Sequence, residues 1–138
     1  MTGQSKEEAL KAELAAQDGA HTPYVSARRY FDGNEDNSSI GCNLPEHPGI
    51  AAFRTVLLDL SSRQDVEAVY ALIAEIDPGP GSWPFTDTIL VFGAIESEEL
   101  ALLLRDLEPD EVVVAGGSIV PEGLQRMHPG RALYAWWD

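Results

Sequence analysis

Thr86-Asp87-Thr88-Ile89-Leu90-Val91-Phe92-Gly93-Ala94-Ile95 contains a single charged side chain and is rich in β-branched and aromatic residues. Such a run reads as a strand buried on both faces, and hence as the middle of a sheet. Just upstream, Val66 to Ile76 is a second apolar run. There Val66, Val69, Tyr70 and Ile73 also fit a helical period, but the turn chemistry on either side favours a strand. The link between the runs, Asp77-Pro78-Gly79-Pro80-Gly81-Ser82-Trp83-Pro84, cannot be helical. Its prolines remove amide donors and fix φ, and its glycines permit the positive φ of a turn. The two runs are therefore predicted to be antiparallel neighbours.

The rest of the chain dresses this pair. Glu96-Ser97-Glu98-Glu99 places carboxylates at a helix N-terminus, where the macrodipole favours them, and Leu100, Leu103, Leu104 and Leu107 line one face until Pro109. Glu111 to Ala115 reads as a strand closed by Gly116-Gly117, and Arg131 to Trp137 as a further strand. Upstream, Ile50, Phe53, Val56, Leu57 and Leu60 recur at helical spacing after His47-Pro48-Gly49. Tyr24 to Phe31 reads as a first strand, although its adjacent Arg28 and Arg29 cannot both enter a core. Ser5 to Gln17 consists of helix formers with a thin apolar side, Ala9, Leu10 and Leu14, and is expected to be a peripheral helix.

These elements predict an α/β fold, specifically an α+β sandwich. A mostly antiparallel sheet of about five strands carries two helices packed on one face, like a ferredoxin-type split βαβ unit, with an N-terminal helix in front. Residues 1–22 would form that helix and a linker, and residues 23–138 a single globular domain, in keeping with the size of the chain.

Composition narrows the function classes. Nine basic side chains stand against 23 acidic ones, for a formal net charge of −14 in 138 residues. That balance repels phosphate backbones and anionic membranes, so neither nucleic acid nor a membrane surface is an expected partner, whereas a basic protein is. No apolar stretch is long enough to span a bilayer, and the first residues lack the pattern of a secretory leader. With one cysteine, Cys42, and hence no intrachain disulfide, the expected location is cytoplasmic.

Chemistry is sparse. Asp32 to Glu46 is a long loop of turn formers, and loops of this length are often functional. Its Asp32-Gly33-Asn34-Glu35-Asp36 segment suggests a calcium loop, but Asn37 stands where the glycine belongs and Asn43 where the bidentate glutamate should be. Asp and Asn also cap turns without any metal. Cys42 and His47 could pair as nucleophile and base, yet no third, orienting group follows at a recognisable spacing. Cys42, His21, His47 and His128 lack the paired spacing of a zinc site, and His47 and His128 precede prolines as turn residues do. Gly116-Gly117 lacks the spacing of a phosphate loop. No catalytic residue, metal or cofactor is expected.

Aromatics offer more. Trp83 and Phe85 flank Pro84 at the entrance to the central strand, and one of Trp136 and Trp137 should face outward because successive strand residues alternate. With the carboxylates of the long loop they define a candidate binding surface: Asp32, Glu35, Asp36, Trp83, Phe85 and Trp137.

Ser39-Ile40-Gly41-Cys42-Asn43-Leu44, Trp83-Pro84-Phe85-Thr86-Asp87, Pro109-Asp110-Glu111-Val112 and Trp136-Trp137-Asp138 resemble segments of a group of small, acidic, uncharacterised bacterial proteins. The resemblance covers residues 24–138 and brings no established catalytic residue. Small acidic bacterial proteins of this look include immunity proteins that neutralise toxins, which by analogy implies an inhibitor of a basic partner. A non-enzymatic acidic binding module is thus expected first, or alternatively a small enzyme or ligand-binding domain using the Asp32 to His47 loop with Cys42 and His47; a third option is an oligomerising domain with the central-sheet edge as its interface.

Overall fold

A computed structural model of the chain describes residues 2–17, 19, 21–116 and 118–138, with side chains from residue 6 onward. In chain order the elements are α1 (Thr2–Ala15), β1 (Tyr24–Ser26), α2 (Ala27–Phe31), α3 (Ile50–Ser61), β2 (Val66–Glu75), β3 (Phe85–Gly93), α4 (Ser97–Leu103), β4 (Glu111–Val114), α5 (Glu122–Met127) and β5 (Ala132–Trp136). Short 3-10 turns occur at Asn37–Ser39 and Arg105–Leu107.

The five strands form one sheet in the order β1-β2-β3-β5-β4, with every neighbouring pair antiparallel. β3 is central as expected, and it pairs with β2 across the proline-rich link. It buries Ile89 and Val91 on one face and Leu90 and Phe92 on the other. β3 and β4 run parallel with β5 between them, so β3-α4-β4 is a split βαβ unit. It occurs once: β1 and β2 are direct neighbours, with α2 and α3 between them in sequence.

The main core lies on the face covered by α1, α2, α3 and α4. Helical spacing places Ile50, Phe53, Leu57 and Leu60 of α3 inside it, with Val56 at the margin. Leu100, Leu104 and Leu107 follow from the next helix and its 3-10 turn, whereas Leu103 is exposed. α1, expected at the periphery, sinks Leu10 and Leu14 into this same core. The opposite face carries a smaller cluster in which Val120 and Leu124 cover Leu72, Leu90 and Phe92. α5, which supplies Leu124, has no counterpart in the sequence reading.

The expected strand Tyr24 to Phe31 is corrected to a three-residue strand followed by a helix. Ser26 Oγ accepts from the Arg29 amide and caps the helix start. The switch resolves the two arginines: a helical period buries Ala27, Tyr30 and Phe31 while turning Arg28 and Arg29 outward, which strand alternation could not do.

At the far end of the central pair, Gly93 adopts φ +140°. A Cβ there would stand 2.5 Å from Asp65 O, the carbonyl that accepts from the Ala94 and Ile95 amides. Only glycine lets the exit of β3 approach the entry of β2 so closely.

Candidate functional site

The long loop after α2 and the proline-rich link face each other across a cleft. Tyr30, fully buried, ties the two walls together: its hydroxyl lies 2.9 Å from the Ser39 carbonyl and 2.7 Å from that of Pro84. Burial pushes the Tyr30 phenol far above its ordinary value. Buried Asn34 folds the loop on itself by accepting from the Asp36 amide and donating to Ser39 Oγ. Lys11 of α1 holds the other wall, donating to Asp77 at 2.9 Å and to the Gly79 carbonyl at 3.1 Å.

Asp36 is the joint between the walls. Its Oδ1 accepts from the Ser38 amide and hydroxyl, and its Oδ2 accepts from the Trp83 amide at 3.0 Å. Burial works to raise the Asp36 carboxyl, but these hydrogen bonds favour its charged form and hold it below the usual carboxylate value. Glu35 and Asp36 open with Trp83 onto one cleft of about 520 Å³, and Asp36 and Trp83 open with Phe85 and Cys42 onto another of about 270 Å³. Asp32 faces elsewhere, into a basic recess with Arg28, Arg29 and Arg54. The hydrogen bond from Lys6 lowers the Asp32 carboxyl.

Trp137 is not brought to this site. It is 1% exposed, stacks edge-on against Phe53 at 5.6 Å, and donates from Nε1 to the Leu107 carbonyl at 2.8 Å. The outward-facing member of the pair is Trp136, which keeps part of its surface. Trp83 is also interior at 4% exposed, so Phe85 is the aromatic that retains surface at the cleft.

The nucleophile-and-base idea has one half in place. Cys42 is exposed at the cleft. His47, however, is used as a turn device: Nδ1 accepts from the Gly49 amide at 2.9 Å, which leaves Nε2 to donate to the Ile40 carbonyl at 2.8 Å. Both nitrogens are thereby committed. Asn37, which stands where a calcium loop needs glycine, instead accepts from the Ile50 amide and serves the start of α3. Among the described residues no three His, Cys, Asp or Glu side chains gather as a metal-holding group.

Sequence reasoning missed a cluster on the opposite face. His128 joins Glu67 through Nδ1 and Tyr70 Oη through Nε2, the latter at 3.2 Å. It also stacks on Phe92 at 4.9 Å. Glu67 and Tyr70 lie far from His128 in sequence, so no local spacing announces the group. It fastens the end of α5 to β2.

The cations are largely spoken for. Lys6, Lys11, Arg29, Arg63, Arg105, Arg126 and Arg131 each lie within ion-pair distance of a carboxylate. Arg54 serves the Phe31 and Asn34 carbonyls, and Arg28 the Ser62 hydroxyl. The excess carboxylates therefore set the surface potential. Among the described residues no helix is long and apolar enough to cross a membrane.

A model of one protein family, described as the uncharacterised protein YfbO family, matches residues 5–135. No curated protein and no solved structure matches the chain significantly.

Proposed function

From the premise that the chain belongs to the uncharacterised YfbO family, we propose that it is a non-enzymatic acidic module that binds a basic protein, in the manner of an immunity-type inhibitor. The observation that carries this reading is the charge state of the folded surface. Carboxylates outnumber cations by 14 and nearly every cation is tied to a neighbouring group, so among the described residues Glu35, Glu75, Glu98 and Glu108 have no ion-pair partner. Such a surface accelerates encounter with a cationic partner and disfavours anionic ones. The test is capture from native lysate at about 50 mM and 500 mM salt, where the Debye length falls severalfold. A basic protein held at low salt and released at high salt is expected; capture indifferent to salt refutes electrostatic recognition.

A second reading, a small ligand-binding domain or enzyme using the long loop, is favoured by the exposure of Cys42 on the cleft it shares with Phe85 and Trp83. The engagement of both His47 nitrogens counts against base catalysis there. Thermal-shift screening of small molecules, with Cys42→Ser and Phe85→Ala as controls, separates this reading from the first. Ligand stabilisation lost in those variants would favour it.

A further inference from the structure

We propose that the free edge of β4 is a strand-docking site for an extended basic segment, one alternating apolar with Lys or Arg residues. The proposal rests on the acidic-module reading and adds where, and by what geometry, the partner attaches.

The two ends of the sheet are finished differently. A sheet edge leaves alternate backbone N–H and C=O groups unpaired, and proteins usually blunt such edges. At the β1 end the job is done. The Ile73 amide donates to the Pro23 carbonyl, so Pro23 and Val25 face β2 and Tyr24 faces outward. The Gln17 carboxamide then meets both outward groups of Tyr24, donating to its carbonyl at 2.7 Å and accepting from its amide at 3.1 Å. Gln17 thus imitates a neighbouring strand and closes that edge.

At the β4 end no such closure exists among the described residues. The Ala115 amide donates to the Ala132 carbonyl, and on the far side of β5 the Trp137 amide donates to the Asp87 carbonyl. With the register Val113↔Tyr134 and Val114↔Leu133, alternation turns the amides and carbonyls of Val112 and Val114 away from β5. No described side chain bonds them. The exposed stretch has neither proline nor lysine within it, and Val114 is 54% exposed.

The surroundings select the occupant. α4 packs against β4 and carries exposed Leu102 and Leu103, so the element next to the open edge offers apolar surface. Exposed carboxylates stand on β4 and on the elements next to it: Glu98 on α4, Glu108 and Asp110 just before the strand, and Glu111 within it. A second copy of this chain would bring the same carboxylates to the seam and neutralise none of them. A strand with alternate cationic residues supplies backbone partners to Val112 and Val114, apolar contacts to the leucines, and counter-charge to the carboxylates.

The probe is the peptide acetyl-Lys-Val-Lys-Val-Lys-Val-Lys-amide, titrated at about 50 mM salt into the 15N-labelled full chain. The expected result is amide-shift changes concentrated at residues 98–114, with Val112 and Val114 gaining exchange protection. Val114→Pro should retain the sheet, since its amide lies outside the ladder, and should lose affinity at least about tenfold. Glu111→Lys, which leaves the backbone edge intact, should weaken binding as well, and it covers the case in which the proline variant fails to fold. Shifts centred on residues 32–38 and 75–85, or spread over all carboxylates without protection at Val112 and Val114, overturn the edge site and leave the acidic-module reading standing. Absence of peptide binding overturns it too, while salt-dependent capture of a basic protein would still report separately on that reading. Protection of Val112 and Val114 by self-association without peptide identifies a second copy and refutes the proposal.

Discussion

Replacing Trp137 with phenylalanine tests whether this indole is a structural member or a partner anchor. The substitution keeps an aromatic ring beside Phe53 but removes the Nε1 donor that reaches the Leu107 carbonyl at 2.8 Å in a site 1% exposed. Leaving a buried acceptor unsatisfied costs about 1–3 kcal/mol. The missing half of the indole adds a void, so Trp137→Phe should cost roughly 2–4 kcal/mol and Trp137→Ala about 3–5 kcal/mol. With a urea slope of about 1.5 kcal/mol/M, a loss of roughly 3 kcal/mol lowers the unfolding midpoint by about 2 M. Urea titration followed by far-UV circular dichroism measures this directly, and partner capture is repeated under conditions where the variant remains folded. A midpoint within about 0.3 M of wild type would refute the structural account. If that unchanged stability came with lost capture, Trp137 would be the anchor after all.

Three further outcomes follow from the geometry. Gly93→Ala forces a Cβ to 2.5 Å from Asp65 O, with β2 backbone on either side; it should destabilise by more than about 3 kcal/mol, and a wild-type melting temperature would contradict the close approach. Because the Asp36 carboxyl is depressed in the folded state, its stabilising contribution is complete above the ordinary carboxylate value near 4 and is lost as pH falls through the lower folded value. The stability gap between wild type and Asp36→Asn should accordingly be widest near pH 6 and shrink in acid, and a gap that grows on acidification shows the sign to be wrong. His128→Ala releases the end of α5 from Glu67 and Tyr70; hydrogen exchange should quicken at residues 120–128 with β3 unaffected, and uniform protection in both proteins would argue against this fastening.

What could be read from the residues divides along physical lines. β2, β3 and α3 were legible because each carries a long apolar pattern of its own and because prolines and glycines mark the turn between the first two. Tyr24 to Phe31 reads as strand throughout because its aromatic and β-branched content does not reveal a cap. The Ser26 hydroxyl starts a helix there, and only the need to turn Arg28 and Arg29 outward together hints at it. α5 escaped notice because six residues with a single buried leucine carry too little periodicity. At the candidate site, the loop and the proline-rich link were identified as important, and Glu35, Asp36, Trp83 and Phe85 do gather around their shared clefts. Alternation left open which of Trp136 and Trp137 faces inward. The Trp137 partners Phe53 and Leu107 come from elements distant in the chain, as do those of His128. Tertiary contacts of that kind leave no spacing to read.

The placement of β5 also makes it the keystone of one half of the sheet. Among the described residues β4 has only β5 as a strand partner, and β5 follows it in sequence and lies between it and β3. β2 can pair with β3 across a short link, whereas β4 joins the sheet only through β5. Without β5, β4 would have no strand neighbour and one side of β3 would stand open, the kind of unpaired edge that invites association between copies. The integrity of both β3 and β4 within the sheet thus hangs on one five-residue strand.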